Sequence, residues 1–459
     1  MQRSRNGRLK QTQNGPNGDA AEAGARNPRA RQRALAIGAF REAAGDRDPL
    51  AELTELLRTA GVATAGELVQ VRAQPDPDRY LGRGKLDELK AALKRNDANL
   101  VAADDELAPR QERNLEAALG VPVIDRTAVI LDIFADHAHT AEGKLQVELA
   151  QLEYNLARMR GLWTHLERLG AGRMDGGIGT RGPGESQIET DRRLARDRIS
   201  TLRRRLRRLE GNRAVMRARR ESSTLPSVAL AGYTNAGKST LLNALTGAGV
   251  GVGERLFETL DPTTRAYEHA GRRYLVTDTV GFIRKLPHQL VEAFKATLEE
   301  TRLADQIVHV VDASEPDAQA RREAIAAVDE VLEEIGAGDS PRLLAYNKID
   351  LLDAEQRRDL LVGDTDAIAI SAETGEGLEE LRERIEAAFS ETLEPVELLL
   401  PYSQGDRLSE LHGLAGDLER EDRAEGVLVR ARIPAALSHR FSEFAVNGAA
   451  ATDGNTDTA

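Results

Sequence analysis

Three short stretches carry residue types that can hold a phosphorylated nucleotide. The first is SVALAGYTNAGKSTLLNAL (227–245), which meets the spacing GxxxxGK[ST] with Gly232, Gly237, Lys238 and Ser239. An apolar run enters a glycine-rich turn and leaves it as the start of a helix. In such a turn the backbone N–H groups of Tyr233, Thr234, Asn235 and Ala236 can curl around phosphate oxygens, and the helix start through Thr240 adds its positive end. Lys238 then brings a point charge to the β and γ phosphates, and the Ser239 hydroxyl is placed to ligate Mg²⁺.

The second stretch is RYLVTDTVGF (273–282), an apolar strand delivering Asp278, Thr279, Val280 and Gly281. Asp278 is expected to hold the Mg²⁺ through water, and the Gly281 amide to sense the γ-phosphate. DxxG alone is weak; about forty residues after a phosphate loop, on the next strand, it is strong. The third stretch, LLAYNKIDLL (343–352), ends a strand in Asn347, Lys348, Ile349 and Asp350. A carboxylate at Asp350 can accept from both the ring N–H and the exocyclic amine of guanine, which adenine does not offer in that arrangement. AIAISAETGEGLEELRERI (367–385) adds Ser371, Ala372 and Glu373, whose amides can meet the guanine O6. Four elements in this order select GTP, with Lys238, Ser239, Asp278 and Gly281 at the chemistry.

Between the first two stretches lies LFETLDPTTR (256–265), expected to be the mobile switch loop, with Phe257, Glu258, Thr259, Leu260 and Asp261 lining the nucleotide. Thr259 is expected to join Ser239 on Mg²⁺ in the GTP state; Thr263 is the alternative. Phe282 follows Gly281, at the position where many such switches carry a glutamine that orients the attacking water. Phenylalanine cannot do that, so hydrolysis is expected to be slow alone and faster with a partner.

The elements that must position these residues follow from periodicity. Residues 34–142 alternate apolar runs (ALAIGAF 34–40, ELVQVRA 67–73, NLVAADD 99–105, VPVID 121–125) with helical stretches (49–60, 85–96, 109–119), which predicts a small parallel α/β layer. Residues 143–224 hold two long helical segments joined by the glycine-rich link 170–184, which predicts an antiparallel helical hairpin. A second α/β pattern runs from 225 to 394, with a mostly parallel sheet covered by helices on both faces. It is followed by a short β–α–β unit over 395–446, with strands at 395–402 and 425–433. Tails at 1–33 and 447–459 lack the apolar side chains needed to offset ordering entropy.

With 459 residues, 75 acidic and 63 basic side chains and a formal net charge of -12, the chain has the composition of a multidomain protein with an acidic surface. The absence of cysteine excludes disulfides and thiolate chemistry. No run approaches the roughly 18 apolar residues of a membrane span, and no secretory leader is visible. A cytoplasmic monomer is expected. HAH (137–139) lacks metal-ligand spacing, and GRGK (82–85) lacks that of a second phosphate loop.

Against this acidic background, the second helix of the hairpin is strongly basic. Arg192, Arg193, Arg203, Arg204, Arg205, Arg207 and Arg208 stand on it, and Arg173 and Arg181 on the preceding link. Arginine forks suit RNA phosphates, but equally suit carboxylates on a facing helix. The link itself is either a plain connection or a tip that enters an RNA cleft.

The stretches YLGRGKLDELK (80–90), LEAALGVPVIDRTAVILDIFADHAHTAEGKLQVELAQLEY (115–154) and GTRGPGESQIETDRR (179–193), joined to the nucleotide motifs, closely resemble the HflX family of ribosome-associated GTPases. The resemblance covers about 34–432. It implies an N-terminal α/β domain with a helical hairpin, a P-loop GTPase domain, Mg²⁺, and contact with the large ribosomal subunit through the hairpin. Dissociation of stalled ribosomes or subunit assembly are the implied tasks. Glu258 departs from the family pattern, where a small residue is more usual, and so does the basic tail. Two other classes compete: an RNA-remodelling ATPase working through the N-terminal domain, and a non-catalytic RNA-binding scaffold.

Overall fold

The computed structural model describes residues 32–41, 48–170, 183–221, 225–247, 249, 256–257, 259–285, 287, 290, 294, 298–362, 366–391, 393–415, 418–434 and 438–446. Nearly all of the two tails, most of the glycine-rich link with Arg173 and Arg181, and Glu258 lie outside these residues. Two compact units result, one of Met1–Ile133 with Arg160–Gly172, the other of Phe134–Met159 with Arg173–Ala459.

The first unit holds β1 (Arg33–Phe40), α1 (Ala51–Thr59), β2 (Ala63–Val71), α2 (Arg83–Arg95), β3 (Leu100–Ala103), α3 (Pro109–Leu119) and β4 (Val123–Asp125). The strands form one parallel sheet of order β2-β1-β3-β4. Central β1 and β3 are buried on both faces, hence their continuous apolar runs. Leu53, Leu56 and Leu57 of α1 and Leu86, Leu89 and Leu93 of α2 fall at helical spacing and point inward. Pro109 starts α3, and Gly120 at φ +72° ends it. Tyr80 is buried; its hydroxyl donates to Asp105 at 2.6 Å and accepts from the Ala39 amide at 3.0 Å. Arg126, also buried, donates to Asp104 at 3.0 Å and to Glu52 at 2.5 Å.

RTAVILDIFADH forms α4 (Arg126–His137), a helix that the apolar pattern alone did not reveal because it follows β4 with no breaker between them. Asp125 starts it, accepting from the Ala128 amide at 2.9 Å. The boundary between the units falls inside α4.

The second unit continues with α5 (Ala141–Gly170), of which it holds the part up to Met159, and α6 (Pro183–Glu221); the two helices are joined through Leu149, Ile199, Leu202 and Leu206. Its main sheet comprises β5 (Ser227–Gly232), β6 (Thr263–His269), β7 (Arg272–Asp278), β8 (Gln306–Asp312), β9 (Arg342–Asn347) and β10 (Ile368–Ala369), with α7 (Lys238–Thr246), α8 (Ala318–Glu334), α9 (Ala354–Val362) and α10 (Leu378–Glu391) around it. The order is β10-β9-β8-β5-β7-β6, and only β6 runs antiparallel. Val228, Leu230 and Val310 pack under α7 and α10 on one face; Ala231 and Ile307 pack under Val328 and Leu332 of α8 on the other. Alternation along each strand therefore serves helices on both faces. From β5 the chain passes to β6 and β7 on one side and then crosses from β7 to β8 on the other, so the crevice at the carboxyl ends of the strands beside β5 is where a ligand fits.

The last element group corrects the expected β–α–β unit. β11 (Leu393–Leu400), α11 (Gly405–Ala415), β12 (Leu418–Arg423) and β13 (Gly426–Pro434) make an antiparallel sheet of order β11-β13-β12. β12, LEREDR, has no apolar alternation because it is an exposed edge strand, laced by Arg420–Asp422 and Arg423–Glu421 pairs. Among the described residues no helix is long and apolar enough to cross a membrane.

His309 on β8 is buried, 3.8 Å from the Asp329 carboxylate. Burial, with the charges of Arg342 and Lys238, holds its pKa down at about 4 from an ordinary 6.5. Between those values the unfolded chain binds the proton and the folded chain does not, so stability is lost as pH falls. Going from pH 7 to 4.5 is expected to cost about 2–3 kcal/mol through this group. Denaturant titrations of the parent chain and His309→Leu at both pH values check it. An equal acid loss in the two proteins would refute the assignment.

Candidate functional site

The turn between β5 and α7 is shaped around one lysine. Lys238 begins α7, is 6% exposed, and its Nζ donates to the carbonyls of Gly232 at 3.0 Å and Tyr233 at 2.9 Å. Gly237 before it adopts φ +91°, and Asn235 φ +63°, the left-handed turns that wind the backbone back on itself. Ala236 and Thr234 are buried, Tyr233, Gly237, Ser239 and Thr240 are half-buried, and Asn235 is exposed. Gly281 approaches from the end of β7; a Cβ there would lie 2.8 Å from Thr234 Cγ2 and 3.1 Å from Lys238 Nζ. Its lack of a side chain keeps the space beside the ammonium open.

β7 ends on Asp278, fully buried beside this lysine. Asp278 Oδ2 accepts from Ser239 Oγ at 2.6 Å and from Thr259 Oγ1 at 3.0 Å, and the two hydroxyls are 2.9 Å apart. Oδ1 is buried without a hydrogen-bond partner. Burial raises the Asp278 carboxyl above its ordinary range, while Lys238 and the two hydroxyls pull it back. Burial also pushes the Lys238 ammonium down, to about 8, against the attraction of Asp278. Two hydroxyls and one carboxylate, whose Oδ1 is orphaned, make a hard, all-oxygen donor set of the kind that magnesium takes. Thr263, the alternative to Thr259, sits instead in the β6 ladder opposite Asp278.

At the other end of the crevice, Asn347 closes β9. Its Nδ2 donates to Ala236 O at 2.8 Å, and its Oδ1 accepts from the Ala372 amide at 2.9 Å. One side chain thus ties the phosphate turn to the loop of Ser371, Ala372 and Glu373. Ser371 is buried, and its Oγ accepts from the Thr374 amide at 3.1 Å. Lys348 stands at φ +69° with its ammonium 2.6 Å from Asp312 Oδ2. Ile349 is buried, whereas Asp350 and Glu373 are exposed. Asp312 was missed in the sequence; its signal is its place at the end of the apolar strand QIVHVVD.

Two expected site residues are engaged elsewhere. Thr279 is buried and donates to Leu230 O at 2.7 Å, bracing β7 against β5, with Val280 buried beside it. Asp261 turns both carboxylate oxygens toward His139 and Thr140. Phe257, at φ +58°, and Leu260 are buried. Phe282 is 1% exposed in the core with Leu298, Val328 and Leu332, while its backbone bonds to Gly232 and Thr234.

On α6, Arg198 is bound by Glu148 at 2.7 Å and Arg203 by Glu153 at 2.7 Å. Intramolecular pairing therefore accounts for Arg203, one of the expected RNA contacts. Arg193, Arg204, Arg205, Arg207 and Arg208 are exposed, and Arg192 is half-buried.

Comparison with known proteins agrees with this layout. Residues 47–135 match the family model described as GTP-binding GTPase N-terminal, 137–220 the GTP-binding GTPase middle region, and 227–348 the 50S ribosome-binding GTPase. The GTPase HflX of Caldanaerobacter subterraneus subsp. tengcongensis is 45% identical over 431 residues, covering 94% of this chain and 97% of that protein. That of Escherichia coli K12 is 45% identical over 391 residues, covering 84% and 90%. Among solved structures, that of SsGBP with GDP is 27% identical and spans 78% of this chain and 98% of that one, at a TM-score of 0.43. Similarity of this extent over nearly the whole of its relatives means that the chain belongs to the HflX family of GTPases.

Proposed function

We propose that the chain binds GTP along the carboxyl edge of its six-stranded sheet, hydrolyses it, and uses the switch on the large ribosomal subunit in the cytoplasm. The convergence of Lys238, Ser239, Thr259 and Asp278 carries this reading. A buried ammonium resting on two carbonyls is a place for phosphate oxygens, which would take over its hydrogen bonds. The α7 N-terminus and the turn amides of 233–240 face the same anion. Magnesium, held by Ser239 and Thr259 with Asp278 behind them, would supply charge neutralisation on the β and γ phosphates. Gly281 would present its amide to the γ-phosphate, and Asp350 its carboxylate to guanine, with Ala372 and Glu373 amides near the O6.

Phe282 is the functional departure. Its ring is committed to the core, so this side chain does not orient water. Hydrolysis in the isolated chain is then slow, and a partner completes or rearranges the site. Exposed Arg193, Arg204, Arg205, Arg207 and Arg208 support an rRNA backbone contact through the helix pair, with Arg173 and Arg181 of the link as further candidates. The match at 227–348 to a 50S ribosome-binding GTPase model supports the large subunit as that partner. Ribosome dissociation, rescue or biogenesis is the task in this reading, and the segments beginning near 34, 143, 225 and 395 are its working modules.

GTP turnover with and without purified large subunits is the decisive test. Stimulation is expected in the parent chain, with a loss of about 100-fold or more in Lys238→Ala. Turnover that is fast alone and indifferent to subunits would sink the coupling. Base selection is tested separately by Asp350→Asn, which replaces an acceptor pair by one donor and one acceptor. Guanine affinity should fall about 100-fold or more while xanthine nucleotides gain; an unchanged preference for guanine would remove Asp350 from the base site.

A further inference from the structure

The switch loop is held down by the chain segment that opens the helix pair, and the contacts are polar and specific. His137 Nδ1 donates to Phe257 O at 2.7 Å, and the Phe134 ring meets the Phe257 ring edge-on at 4.7 Å between centroids. Four residues along the loop, Asp261 Oδ2 accepts from the amides of His139 at 3.1 Å and Thr140 at 2.9 Å, and Oδ1 from Thr140 Oγ1 at 2.5 Å. Thr140 is at the same time the N-terminal cap of α5, its Oγ1 accepting from the Gly143 amide at 2.9 Å. Asp261 therefore lies over the positive end of a long helix, where a carboxylate is favoured. Between the two moorings stands Thr259, its hydroxyl on Ser239 and Asp278.

Gly143 in the first turn of α5 completes the fit. A Cβ there would lie 2.6 Å from Asp261 Oδ1. Alanine is the better helix residue by roughly 1 kcal/mol, so helix propensity alone would favour it at this position. What glycine preserves is the seat of the Asp261 carboxylate.

We propose that Asp261 is a positioning residue. It clamps the switch loop to the first turn of α5, so that seating of Thr259 at the phosphate end and closure of the clamp are one event. The inference rests on the nucleotide reading above and deepens it, since it makes the opening of the helix pair a sensor of the γ-phosphate state.

Gly143→Ala and Asp261→Ala test it against the parent chain. The affinities for a non-hydrolysable GTP analogue and for GDP are measured with magnesium present. Hydrogen exchange of the His139 and Thr140 amides is followed with the analogue bound. The triphosphate-to-diphosphate affinity ratio is expected to fall about tenfold in each variant, and the two amides to lose protection. Gly143→Ala should keep or raise the thermal midpoint, because the substitution displaces a side-chain end and adds helix propensity. The double variant should fall no further than either single one, since both remove one contact. An unchanged ratio, or an equal loss of both affinities, would overturn the clamp while leaving the nucleotide site intact. A parent chain that binds neither ligand would overturn the nucleotide reading itself.

Discussion

Burying one ammonium group governs how the nucleotide edge is built. Lys238 is removed from water at the start of α7, and a charge so placed must be paired or neutralised. Gly232 and Tyr233 turn their carbonyls toward it, and the Asp278 carboxylate supplies the opposite charge. Desolvation acts on both groups, lowering the lysine and raising the aspartate, and the attraction between them opposes it in each case. The pair is thus an unfavourable environment shared by two ions. An anion delivered to the ammonium would favour its charged form, while a cation beside the two hydroxyls would do the same for the Asp278 carboxylate.

The same aspartate fixes what lies on the loop side. Because Oδ2 collects both Ser239 and Thr259, the switch loop is positioned by a group that the lysine requires for its own burial. Phe257 then binds that loop to the end of α4, and Asp261 binds it to the segment between α4 and α5. At the other end of the crevice, Asn347 joins Ala236 to Ala372, so the turn between β5 and α7 cannot shift without disturbing the loop of Ser371, Ala372 and Glu373. Each link is a hydrogen bond of 2.6 to 3.0 Å. The parallel sheet makes this economy possible, since β5, β7, β8, β9 and β10 bring their carboxyl ends to one edge.

Sequence reasoning recovered what depends on local pattern. The parallel layers and the two long helices are written in periods of two and 3.6 residues. It did not recover features that depend on a distant partner. β12 is charged along its whole length, and only its pairing with β13 makes it a strand. α4 continues β4 without a breaker, so the pattern shows no boundary. For Arg203 the sequence leaves RNA phosphate and facing carboxylate open, and the particular partner, Glu153, is 50 residues away. Asp261 was placed at the nucleotide by its neighbourhood in the loop, although its hydrogen bonds go to residues 121 and 122 positions earlier.

Phe282 shows how packing limits chemistry at this edge. Its backbone is held on both sides, donating to Gly232 and accepting from Thr234, so the position is part of the phosphate turn itself. The ring points to the opposite face and fills space among Ala231, Leu298, Val328 and Leu332. Withdrawing it would expose a fully buried aromatic side chain at a cost of about 2–3 kcal/mol, and would still offer no hydrogen-bonding group to water. Orientation of the attacking water must therefore come from another residue or from a partner, and a partner that acts on the loop moored by Asp261 would act through the contacts of His139 and Thr140.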